Sequence, residues 1–206
     1  RDYGAKVQWS YFPNPNHSVK WGADYVYHVF TPNNTYAKSG DTEFNLNNTT
    51  RLNSHETAIY VQDEWDVNEK FKVNLGLRES YFLHTGSFDR YIHGESNGLS
   101  GNGVTTVIHY GRGEKVADYF GFEPQVSGRY LLRDGSSMKA GYMRNFQYIH
   151  LNSFSPTSLP TDVWLPTTLN VKPEIADQVS LGWFKNLKEN KFEFSSEIYY
   201  KWMQNQ

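Results

Sequence analysis

Apolar and polar side chains alternate one for one along most of this chain. From Asp2 to Phe12, Tyr3, Ala5, Val7, Trp9 and Tyr11 share one side, and Asp2, Gly4, Lys6, Gln8 and Ser10 share the other. A period of two is the signature of a β-strand with two unlike faces. Seven further segments repeat it. Ser18 to Phe30 groups Val19, Trp21, Ala23, Tyr25, Tyr27 and Val29, and Ser54 to Val67 groups Thr57, Ile59, Val61 and Trp65, with Asp63 interrupting the apolar side. Lys70 to Leu83 sets Phe71, Val73, Leu75 and Leu77 against Lys72, Asn74, Gly76 and Arg78. The stretch Phe120 to Leu151 holds two such runs joined by Arg133-Asp134-Gly135-Ser136. Ile175 to Leu187 and Phe192 to Met203 complete the set, the last with Phe192, Phe194, Ile198, Tyr200 and Trp202 on its apolar side.

The connections between these segments alternate in length. Pro13 to His17, Asn68 to Lys70, Arg133 to Ser136 and Lys188 to Lys191 are short; Thr31 to Asn53, Thr85 to Asp118 and Asn152 to Glu174 are long. Consecutive antiparallel strands then carry every tight turn at one end and every large loop at the other. Loops beyond about 12–15 residues are uncommon in compact domains. Outer-membrane barrels have this asymmetry, with short periplasmic turns and long extracellular loops. The expected fold is all-β: an antiparallel up-and-down meander of eight strands from a transmembrane β-barrel. Its apolar side would face lipid, its Lys, Gln, Ser, Glu and Arg side a watery lumen, and Trp9, Tyr11, Trp65, Tyr81, Tyr200 and Trp202 the membrane interfaces. Alternation alone also fits a soluble β-barrel that turns the same apolar side chains inward around a ligand. Loop asymmetry and strand length favour the membrane wall.

Composition sharpens this reading. The chain has 206 residues, a net charge of −2 and no cysteine. It carries no basic excess of the kind that nucleic-acid binding needs, and neither disulfides nor thiolate chemistry is open to it. Aromatic residues make up 17% of it, yet the mean hydropathy is −0.69, which suits one apolar face and one wet face. No run reaches the roughly 18 apolar residues of a membrane helix, a test that barrel strands do not have to pass. RDYGAKVQWSYF has no apolar signal-peptide core,. Both ends fall in strand-like patterns, so a piece of a longer chain is expected.

Four blocks carry a family resemblance: SHETAIYVQDEWDVNEKFKVNLGLRESYF, FEPQVSGRYLLRDGSSMKAGYMRNFQYIHL, LPTDVWLPTTLNVKPEIADQVSLGWFKNL and FEFSSEIYYKWMQNQ. In order and spacing they resemble TonB-dependent outer-membrane receptors of the Bacteroidetes type, over nearly the whole chain. The resemblance implies a barrel of about 22 strands around an internal plug. Residues 1–206 would then be a partial barrel domain without the plug. It also implies energised uptake of a scarce nutrient (a metal chelate, a vitamin or an oligosaccharide) across the bacterial outer membrane. The implied partners are outer-membrane lipid, the receptor's own plug and the TonB complex acting through the full-length protein, with room for a surface lipoprotein over the pore. No cofactor is implied.

Candidate binding residues lie in the long loops. Thr85 to Asp118 contains His93 and His109 near Asp89 and Glu95. These residue types bind metals, but the spacing is not that of a ligand set and no metal site is expected. Asn152 to Glu174 contains Phe154, Asp162 and Trp164 among four prolines. A stiff loop presenting a Trp and a carboxylate is a platform for stacking and hydrogen bonding to a ligand; packing of Trp164 against other loops is the plainer reading. No Ser/His/Asp arrangement or acid/base carboxylate pair stands out, so an all-β carbohydrate-active enzyme is disfavoured and no catalytic residue is assigned. Arg78, Arg129, Lys139 and Glu197 are expected to line the lumen, as a cross-strand charge network or in contact with the plug.

Overall fold

The computed structural model describes residues 1–31, 36–39, 42–45, 51–93, 104–132, 135–152, 163–187 and 191–206. Among these the ordered elements are all strands: β1 (Asp2–Asn14), β2 (His17–Phe30), β3 (Tyr36–Ser39), β4 (Thr42–Asn45), β5 (Leu52–Asn68), β6 (Phe71–Thr85), β7 (Phe88–His93), β8 (Val104–Tyr110), β9 (Lys115–Leu131), β10 (Ser136–Gln147), β11 (Ile149–Asn152), β12 (Val163–Pro166), β13 (Glu174–Leu187) and β14 (Phe192–Gln204). The eight long strands form one antiparallel sheet in the order β1-β2-β5-β6-β9-β10-β13-β14. Each long strand pairs with the next long strand along the chain, so the sheet is an up-and-down meander. The three long connections are not featureless. Each contains a separate two-stranded hairpin: β3–β4, β7–β8 and β11–β12.

The tight turns follow local chemistry. Asn68 Oδ1 accepts the Lys70 and Phe71 amides, both at 2.9 Å, and Asn14 Oδ1 accepts the Asn16 amide at 2.9 Å. Short amide side chains close such turns by standing in for a backbone carbonyl. Gly135 enters β10 at φ +69°, a conformation that favours glycine,.

The apolar side of the alternation is the exposed side. Leu75, Tyr130, Leu181 and Phe194 are 44–48% exposed, so these side chains do not pack together in a dry interior. The soluble-barrel arrangement, which needs them turned inward, is therefore not what the chain adopts. Trp9 stacks on its cross-strand partner Trp21 at 4.5 Å, and Trp65 stacks on His17 at 5.3 Å, both on the apolar face at the short-turn end. On the polar face, side chains two strands apart meet: Tyr60 of β5 donates to Gln8 of β1 at 2.8 Å, and Arg78 of β6 reaches Asp24 of β2. A sheet curled towards its polar face allows such contacts.

At the long-loop end the polar face is covered. Pairing between β9 and β10 stops at Gln125↔Met143, beside Pro124, which has no N–H to donate. Beyond that point β10 follows β13 alone, to Gln147↔Glu174, and the chain turns over the inner face. Tyr148 stacks flat on Phe82, centroids 5.0 Å apart and planes 5° apart, and both are buried.

Candidate functional site

The inner wall of the sheet carries a continuous polar network. Its centre is Arg78, placed on the polar face by alternation with Leu75 and Leu77. Arg78 donates to both oxygens of Asp24, at 2.7 and 3.1 Å. Glu56 and Glu123 each lie 3.8 Å from the same guanidinium. One cation thus serves three carboxylates, and a bidentate Arg–Asp pair is the strongest link among them. His28 extends the network: its Nδ1 meets Asp2 at 2.9 Å, and its Nε2 stands 3.7 Å from Glu56.

Next to it runs a buried polar row. His28, Ser54 and His84 are register partners across β2, β5 and β6, and all three are buried. Among the described residues, His28 Nε2, Ser54 Oγ and both ring nitrogens of His84 have no hydrogen-bond partner. Unpaired buried groups of this kind each cost about 1–3 kcal/mol.

The segment that covers the wall is anchored by Tyr148 and Thr167. Tyr148 donates to Ser80 at 2.8 Å, because Ser80 spends its own proton on Glu123 at 2.6 Å. Gly121 leaves the space for this: a Cβ there would lie 2.5 Å from both Ser80 Oγ and the Tyr148 hydroxyl. Thr167 donates through its amide and its hydroxyl to the Tyr148 carbonyl, both at 2.8 Å. Tyr119, also on the inner face, donates to the Thr168 carbonyl at 2.8 Å. Burial pushes the Tyr148 phenol up to about 12 and holds the His150 imidazole below its ordinary value. His150 Nε2 lies 3.1 Å from Thr167 Oγ1.

The residues singled out from sequence fall in different places. Trp164 lies in β12 opposite Leu151 and is 55% exposed. His109 and Asp89 are register partners in β7–β8, joined at 2.6 Å and exposed to solvent. His93 ends β7 opposite Val104, so the hairpin register does not bring it beside His109. Phe154 and Asp162 lie outside the described residues. Among the described residues no group of three or more His, Asp or Glu side chains is arranged to hold a metal ion. Arg78 belongs to the network above. Arg129 does not fit a simple charge network, since its register neighbours are Lys72 and Lys139; Glu197 pairs opposite Gly182. The Tyr148 anchor and the row of buried polar groups were not found from sequence, because both depend on which loop folds back over which strands.

A curled eight-stranded meander, polar within and apolar without, with all large loops at one end, defines a wall segment of a membrane β-barrel. The chain belongs to the TonB-dependent receptor-like β-barrel family, whose model matches residues 1–206. This family resides in the bacterial outer membrane and comprises transporters rather than enzymes. No protein with a curated description matches the sequence. Several solved structures share the fold, three of them as follows. The FrpB iron transporter from Neisseria meningitidis superposes with a TM-score of 0.61 at 11% identity, covering 100% of this chain and 28% of that one. The copper transporter OprC gives 0.62 at 16% identity, covering 98% and 31%. The closed form of the ferric-catecholate import receptor Fiu from E. coli K12 gives 0.56 at 13% identity, covering 100% and 31%. The chain therefore spans under a third of the length of these structures.

Proposed function

We propose that this chain is part of the barrel wall of a TonB-dependent transporter that carries a scarce nutrient (a metal chelate, a vitamin or an oligosaccharide) inward across the outer membrane. The observation that carries the reading is the two-faced meander with its loops at one end, within this family. The apolar face meets lipid. The polar face, with Arg78 and its three carboxylates, faces the receptor's own plug domain, and the TonB complex acts through the full-length protein. The long-loop end is the extracellular mouth, where Trp164 and the Asp89–His109 pair are candidate ligand contacts and where a surface lipoprotein has room to sit.

The test uses the full-length receptor in matched hosts with and without TonB, offered radiolabelled metal chelates, corrinoids and oligosaccharides. Accumulation of one class only when TonB is present supports the proposal. Equal accumulation without TonB, or none of any class, contradicts it.

A further inference from the structure

A second feature of the mouth lies apart from the network on the wall. Between the start of β5, the β7–β8 hairpin and the turn into β9 is a cavity of about 950 Å³, at the upper end of the roughly 300–1,000 Å³ typical of ligand pockets. Three arginines from three separate chain segments line it: Arg51 just before β5, Arg90 in β7 and Arg112 in the turn between β8 and β9. The chain as a whole carries a net charge of −2, so this concentration of cations does not follow from composition.

Arg78 and Arg144 each hold an aspartate in a two-point pair. Among the described residues, none of Arg51, Arg90 and Arg112 has a salt bridge or side-chain hydrogen bond. Among the described residues the carboxylate lining the cavity is Asp89, and His109 already holds it at 2.6 Å. The neutral polar groups add donors. Tyr27 gives its proton to Asn53 Oδ1 at 2.9 Å, which among the described residues leaves the Asn53 amide nitrogen unspent, and Asn170 also lines the cavity. Guanidinium forks match carboxylate and phosphate two points at a time, and several around one concavity focus positive potential within it.

We infer that this cavity is an anion-binding subsite, taking a molecule that carries two or more carboxylate or phosphate groups. Two sources offer that chemistry at the long-loop end: a soluble polyanionic solute and the phosphorylated headgroup of an outer-leaflet lipid. That a soluble anion bound here is cargo rests on the transport reading; that the cavity binds the anion does not.

The experiment uses purified full-length receptor in detergent. Citrate, inorganic pyrophosphate and lipid A in mixed micelles are titrated separately against the wild type and against an Arg51→Gln/Arg90→Gln/Arg112→Gln variant. An Arg→Lys version at the same positions is the charge-preserving control. At least one probe is expected to bind saturably, to weaken at least about tenfold in the glutamine variant, and to be largely restored in the lysine version. Its affinity should also fall between about 0.05 and 0.5 M salt. Binding of citrate or pyrophosphate assigns the site to a solute; binding of lipid A alone assigns it to the leaflet. The single Arg→Gln variants give a graded loss if the triple variant fails to fold. Absence of binding by every probe, or undiminished binding by folded glutamine variants, overturns the inference. Neither result bears on TonB-dependent uptake, which the accumulation assay reads independently.

Discussion

The Tyr148 hydroxyl lies 2.8 Å from Ser80 Oγ, and Ser80 passes a hydrogen bond on to Glu123 at 2.6 Å. One phenol thereby joins the loop that folds over the inner wall to the charge network on that wall. Tyr148→Phe keeps the stack on Phe82 and removes one donor, which should loosen the segment by about 1 kcal/mol. Tyr148→Ala removes the stack too, for a loss of about 3–5 kcal/mol. Amide exchange over residues 148–152 and 163–168 of the full-length receptor measures both. Unchanged exchange in Tyr148→Ala would show that the anchor is not there.

Arg78 neutralises a wall that would otherwise present Asp24, Glu56 and Glu123 to one another. Arg78→Gln should destabilise the barrel by about 1–3 kcal/mol, a range reduced for the partial exposure of the site. Added salt should recover part of the loss by screening the carboxylates. Loss of the heat-modifiable gel shift at lower temperature is the readout. A variant as stable as wild type at low salt would argue that the carboxylates do not repel.

His150 makes the covering segment sensitive to acid. Burial holds its pKa below the ordinary 6.5, so the docked segment carries a neutral ring. Its contribution to docking is complete above pH 6.5 and is lost as pH falls through the lower, docked value. Proteolysis within the covering segment, at residues 148–152 and 163–168, should therefore speed up from about pH 7.5 to pH 5, and His150→Gln should flatten that dependence. An equally steep profile in the variant would assign the effect to another group.

His84 is buried, and among the described residues neither ring nitrogen is bonded. Replacing an unsatisfied buried group by an apolar one of similar size removes its desolvation cost. His84→Leu should stabilise the receptor by about 1 kcal/mol in thermal unfolding. A lower melting temperature would mean that the imidazole has a partner when the receptor is whole.

The wall was legible in the sequence because each of its strands has two unlike faces, and the period of two survives in the raw order of residues. The eight segments from Asp2 to Met203 match the eight long strands in number and order, with ends differing by a few residues. The largest shift is at β9, which begins at Lys115 because Lys115-Val-Ala-Asp-Tyr119 continues the ladder with β6 as far as Thr85, without a clean apolar alternation to mark it. The hairpins in the long connections were missed. β12 is four residues ending in proline, too short for any period to register. β8 reads VTTVIHY, a strand-like run whose signal is diluted by the glycines on either side of it, Gly101, Gly103, Gly111 and Gly113. Arg51, Arg90 and Arg112 were invisible as a group, since only the tertiary fold brings them to one cavity.

The central claim is that the apolar face meets lipid and the polar face does not. Its most direct measurement is spin-label accessibility in the full-length receptor, reconstituted in bilayers and otherwise free of cysteine. Leu75→Cys and Leu181→Cys report the apolar face, and Asn74→Cys and Ser180→Cys the polar face. The account predicts that labels at 75 and 181 relax with membrane-dissolved oxygen and are shielded from an aqueous nickel chelate, with the reverse at 74 and 180. Labels at 75 and 181 that respond to the nickel chelate while those at 74 and 180 respond to oxygen would contradict it.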